Sequence, residues 1–146
     1  ALTLGGILGG IVASKNGLKY WLWWMVLAIN LPNIVYIFLA YFQPESFYVI
    51  SAGVAIEQFG YGFGFTAYML YMIYMAEGPY KTAHFALCTA FMALGMMLPG
   101  MFSGILQEAI GYQKFFIWVV ISAIPGFIAA YFIPLDASFG KKTEKN

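Results

Sequence analysis

From Phe47 to Ala76 the chain reads FYVISAGVAIEQFGYGFGFTAYMLYMIYMA, and Glu57 is the one charged side chain in the run. As a helix rising about 1.5 Å per residue, this stretch exceeds the roughly 30 Å of a bilayer's hydrocarbon core. Strands of a membrane barrel need only about ten residues of alternating polarity, so a run of this length excludes them. A membrane-crossing helix is the remaining choice.

Working outward, polar breaks flank the run: Gln43-Pro44-Glu45-Ser46 before it and Glu77-Gly78-Pro79-Tyr80-Lys81 after it. Pro and Gly in such breaks end helices. Beyond them lie further apolar stretches, so residues 20–42, 47–76, 82–106 and 115–133 are expected as transmembrane helices. Residues 1–13 are expected as the end of a helix that begins upstream, because the Gly-rich apolar run is only half a span long. No charged region precedes it as a signal peptide would require.

Composition supports lipid as the solvent. Of 146 residues, 62% are hydrophobic, 20% aromatic and only 9% charged, with a mean hydropathy of +0.79. A soluble domain carries roughly a quarter of its residues charged. A net charge of +1, with the basic residues gathered only in the Lys141, Lys142, Lys145 tail, argues against nucleic acid as a partner. One Cys and one His build no metal site, and Cys88 in an apolar run reads as a small buried hydrophobe.

Placing the loop at residues 14–19 in the cytoplasm puts Lys15, Lys19, Lys81, Lys141, Lys142 and Lys145 inside and only Lys114 outside. The positive-inside rule selects that orientation, with residues 134–146 as a cytoplasmic tail. Trp21, Trp23 and Trp24 then lie at the cytoplasmic interface, where an aromatic belt belongs.

Small residues mark the faces where helices approach closely or bend: Gly5, Gly6, Gly9 and Gly10, then Gly60, Gly62 and Gly64, then Gly95, Pro99 and Ser103, and Pro125-Gly126 in the last span. Glu57 lies about ten residues into its helix, near mid-bilayer. A charge at that depth costs several kcal/mol and usually faces a bundle interior, a cavity or a partner. One face carries Glu57, Tyr61, Gly64, Tyr68 and Tyr71, with Gln58 alongside. Two roles fit Glu57: binding a proton or substrate, or a structural hydrogen bond to another helix. Asn30 and Asn33 flank Pro32 near the middle of the 20–42 span, where they either satisfy carbonyls freed by the proline or reach a polar ligand. No catalytic residue is expected, because His84 lies near the membrane boundary and Glu57 is the only acid at depth. No cofactor is expected either.

The stretch Gly10-Ile-Val-Ala-Ser14-Lys15-Asn16-Gly17-Leu18-Lys19 resembles the short cytoplasmic loop signature of the major facilitator superfamily. Ser14 stands where that signature usually has an acid, while the tight turn and the basic residues are kept. Within the superfamily the chain is similar to the AmpG-type muropeptide permeases. The likeness rests on Gly5-Gly6-Ile7-Leu8-Gly9-Gly10, Glu57-Gln58 with the following Gly/aromatic run, Phe85-Ala86-Leu87, Ser103-Gly104 before Glu108 and Gly111, and Ile124-Pro125-Gly126.

The resemblance implies an all-α polytopic helical bundle, a partial C-terminal six-helix half of a twelve-helix major facilitator fold in a bacterial inner membrane. Its partners would be the lipid bilayer, the missing N-terminal helices of the same protein, protons and a small solute. The implied function is proton-coupled import of anhydromuropeptides for cell-wall recycling. A permease for another solute, such as a sugar derivative or acyl-CoA, and a non-transporting membrane scaffold are the alternatives.

Overall fold

The structure, a computed structural model, describes residues 1–141. Lys142 and Lys145, counted above toward the orientation, lie outside the described residues. Six helices follow one another: α1 (Leu2–Asn16), α2 (Leu18–Asn30), α3 (Asn33–Phe42), α4 (Phe47–Met75), α5 (Lys81–Ser122) and α6 (Ile124–Phe132). No strand occurs among the described residues. The protein is all-α.

α4 packs mainly along α1 and α2, and its glycines explain how. Gly62 is backed by the Leu2 carbonyl of α1, Gly60 by the Ala28 carbonyl of α2, and Gly53 by Val35 and Leu39 of α3. Gly64 leaves room for Met25 O and Ile29 of α2, which would lie 2.5 and 2.6 Å from a Cβ built there. At Gly60, Gly62 and Gly64 the missing side chain lets the backbones of α1 and α2 come close, which is how helices associate where lipid supplies no hydrophobic drive. Across the α1–α4 contact the Thr66 hydroxyl donates to both Gly62 O (3.0 Å) and Gly6 O (3.2 Å).

The span expected at 20–42 is divided into α2 and α3 by a turn at Leu31-Pro32. Pro32 has no N–H to continue the ladder, which takes the helical partner from Ala28 O four residues back, while the Asn30 side chain donates to Val26 O (2.8 Å) one turn back in its own helix. The polar stretch 107–114, read from the sequence as a break, is helical on both sides of Gly111, whose φ of 78° and ψ of 162° are non-helical. That single residue reverses the chain. Trp118 lies with Leu98, Pro99, Phe102, Ser103 and Leu106 around a cavity of about 290 Å³, a juxtaposition that a straight helix would prevent by roughly 18 Å or more. Pro125 falls in the first turn of α6, where its missing N–H costs nothing.

Two stretches are long and apolar enough to cross a membrane, Leu18–Phe42 and Lys81–Phe132. The second, with 52 residues, would extend roughly 78 Å if straight, more than twice a bilayer core, and the reversal at Gly111 divides it into two limbs. α4 is longer than a span, but Glu57, Gln58 and its Gly and Tyr residues dilute its hydropathy.

Large apolar side chains lie open over most of the surface. The accessible area is 10122 Å², whereas a compact soluble protein of 16.2 kDa would show about 7,450 Å². Burial concentrates at one end, where Ala13, Leu18, Leu22, Met25 and Ala67 meet Leu135. Leu135 belongs to the segment after α6, which folds back over the α1–α2 turn. The Leu18 N–H donates to Phe139 O (3.0 Å), Phe139 packs edge-on against Tyr74, and Gly17, with φ of 87°, fits beneath Ala137 and Lys141.

Candidate functional site

Glu57 sits ten residues into the 29-residue α4, about 15 Å from its start. It is half-buried on the side facing α3. One carboxylate oxygen, Oε2, accepts two hydrogen bonds, from the Tyr36 hydroxyl of α3 (3.3 Å) and from Gln58 Nε2 (2.7 Å). Both donors are neutral. They orient the carboxyl group through one oxygen and leave Oε1 free. The Tyr36 ring is itself stacked on Phe116 of α5, with centroids 5.5 Å apart and planes at 17°.

Tyr36 is the residue that sequence reasoning missed. It lies 21 positions from Glu57, and as one of eleven tyrosines in the chain it carried no signal of its own. Only the packing of α3 on α4 brings the two together.

One turn along α4, Tyr61 opens onto a cleft of about 680 Å³ between α2, α4, α5 and α6. Asn30, Tyr61, Tyr68 and Tyr71 supply its polar atoms, and Phe65, Phe91, Met92 and Met96 its broad apolar walls. Gly64, Gly95 and Gly126 line it where side chains would narrow it. Such a wall, mostly apolar with a few polar groups, is the usual composition of a small-molecule site. Asn30 and Tyr61 of the expected set therefore share the cleft, while Glu57 and Gln58 form a separate cluster one turn away. Asn33 opens α3 and lines neither the cleft nor the carboxylate cluster.

The remaining expected residues divide by place. Gly5 and Gly9 meet α4 at Phe59, Phe63 and Thr66, and Gly60 meets α2, whereas Gly10, Gly95 and Gly126 have open space around them. Pro99 lies inside α5 beside the smaller cavity. In the 10–19 stretch the Ser14 hydroxyl, within α1, donates to Ile11 O (2.7 Å) one turn back in the same helix. Lys15 and Lys19 are exposed on either side of Gly17. His84 is exposed near the start of α5. Among the described residues no group of three or more His, Cys, Asp or Glu could hold a metal.

A Rickettsia felis protein named as an AmpG 4 transporter is 31% identical over 132 residues, 90% of this chain and 32% of its own length. The anhydromuropeptide permease of Escherichia coli K12 is 27% identical over 128 residues, 88% of this chain and 26% of its own length. The chain resembles the AmpG-type permeases. A Haemophilus influenzae protein whose name states no function is 27% identical over 136 residues, 89% of this chain and 32% of its own. No protein-family model and no solved structure matches. The AmpG-like chain spans about a third or less of the length of these curated relatives. The functions named among them are those of transporters and a permease, not enzymes, in agreement with the expectation of no catalytic residue.

Proposed function

We propose that this AmpG-like chain is part of a proton-coupled secondary transporter, in which Glu57 binds the proton and the neighbouring cleft contributes to the solute path. The observation that carries the reading is a carboxyl group ten residues inside the long helix α4, held by two neutral donors through a single oxygen. A group so held can accept and lose a proton without breaking an ion pair. A purely structural hydrogen bond between α3 and α4 would need no carboxylate, since an amide would serve and would avoid the insertion cost of a charge.

The solute is an anhydromuropeptide, by likeness to the Escherichia coli permease. The faces of Phe65, Tyr68 and Phe91 in the cleft suit stacking against sugar rings, and Asn30 and Tyr61 suit hydroxyl and amide groups. The bilayer and the other helices of the same transporter cover the exposed apolar surface, including the open glycines of α5. The membrane is the bacterial inner membrane, and the excess of lysines places the C-terminal end in the cytoplasm.

The test is uptake of radiolabelled anhydromuropeptide by membrane vesicles bearing the intact protein with Glu57→Gln. The variant is expected to reach the membrane at normal levels and to lose proton-driven uptake. Unchanged uptake with an unchanged pH dependence would remove Glu57 from the mechanism.

A further inference from the structure

α3 lies against α5 more extensively than against α4. It has only ten residues, no side-chain cap and no buried residue, and it is separated from α2 by the Leu31-Pro32 turn. Two contacts hold it to α4: the packing of Val35 and Leu39 over Gly53, and the hydrogen bond from Tyr36 to Glu57. On its other side the ring of the same Tyr36 lies on Phe116. One side chain thus touches α4 with its hydroxyl and α5 with its ring.

We propose that Tyr36 is the positioning residue through which the charge state of Glu57 sets the place of α3. The inference rests on the reading of Glu57 as the proton-binding group. A proton added to the carboxylate, with no other bond made or broken, removes the negative charge shared by both hydrogen bonds, and charge-assisted bonds are roughly twice as strong as neutral ones. The proton goes to the free Oε1, and Oε2 remains an acceptor for the Tyr36 hydroxyl but loses the charge that strengthened that bond. The ring stack on Phe116 does not depend on charge. α3 then follows the second limb of α5, turning at Leu31-Pro32, and the carboxyl group opens toward the space that α3 vacates.

The surroundings leave Glu57 as the group whose charge can change. From α3 it faces Tyr36, and on α4 its neighbours are Gln58 and, one turn on, Tyr61. α2 brings Ala28, and the turn after it Pro32, to the adjoining Gly60. α5 brings Phe116, with Tyr112 stacked behind it, and α1 packs on a different face at Gly62. None of these neighbours is a Lys, Arg, His, Asp or second Glu.

The test uses the intact protein in lipid vesicles. Infrared difference spectra between acid and neutral pH read the carboxyl C=O band of Glu57, identified by its loss in Glu57→Gln. Tyr36→Phe keeps the ring on Phe116 and removes only the hydroxyl, so the band is expected to shift and proton-driven uptake of labelled anhydromuropeptide to fall about tenfold, the equivalent of one ordinary hydrogen bond. Nitroxide labels at the exposed Ile34 and Val54 read α3 against α4 without altering Tyr36. Their separation is expected to change with pH in the wild type and to be pH-independent in Glu57→Gln. An unmoved band with full uptake in Tyr36→Phe, or a pH-independent label distance in the wild type, overturns the positioning role. If that happens while Glu57→Gln still abolishes uptake, the transporter reading stands; full uptake in Glu57→Gln overturns both.

Discussion

Two adjacent glycines on α1 should respond in opposite directions to the same substitution. At Gly5 a Cβ would run into the Phe59 carbonyl oxygen of α4 and come within 3.0 Å of Phe63 N, both of them backbone atoms that cannot rotate away. At Gly6 the nearest atoms are Gly62 O at 3.8 Å and Thr66 Oγ1 at 4.0 Å, which is ordinary contact. Alanine is favoured over glycine within a helix by about 1 kcal/mol, and that gain applies equally to both positions. Overpacking costs about 1–3 kcal/mol, and a collision with backbone belongs at the upper end. Gly5→Ala is therefore expected to destabilise by about 2 kcal/mol, and Gly6→Ala to be neutral or stabilising by up to about 1 kcal/mol. The gap approaches 3 kcal/mol, roughly a hundredfold in the ratio of folded to unfolded protein. Reversible unfolding of the intact protein in mixed micelles, followed by tryptophan fluorescence, measures it. Two variants of equal stability would mean that α1 does not approach α4 through Gly5, and the close packing described here would be wrong.

Two further outcomes concern the segment after α6. Leu135 is only 6% exposed in the cluster with Leu18 and Met25, so Leu135→Ala should cost about 2–3 kcal/mol and expose residues 134–141 to proteases in inverted membrane vesicles, where the wild type resists cleavage. The backbone N–H and hydroxyl of Ser138, with Lys19 adding attraction, hold the Asp136 carboxyl below the ordinary aspartate value of 3.8. Its contribution is therefore fully present above that value and is lost as pH falls through the lower folded one. Hydrogen exchange at the Leu18 amide should show an acid-dependent loosening that Asp136→Asn removes, and an identical acid response in the variant would assign it to another group.

Much of this arrangement could be read from the residues. The α4 run announced itself by length and by its single charge, and the break at Pro32 followed from the missing N–H with an asparagine on each side. Small residues marked both partners of the α1–α4 contact, because close helix approach demands them. What stayed hidden depends on contacts between distant positions. Tyr36 meets Glu57 only once α3 folds onto α4. Leu135 and Phe139 looked like isolated apolar residues in a polar tail, since no periodicity connects them to the α1–α2 turn that they cover. The extent of the 107–114 break was also obscured, because its polar residues are compatible with helix and only Gly111 takes the positive φ that turns the chain.

The most direct measurement is proton movement itself. Proteoliposomes of the intact protein, loaded with a pH-sensitive dye, are given an anhydromuropeptide outside and no other driving force. Wild-type vesicles are expected to acidify inside as solute enters, and Glu57→Gln vesicles to show no acidification. Equal acidification by the two would contradict a proton-binding role for the Glu57 carboxyl group on α4.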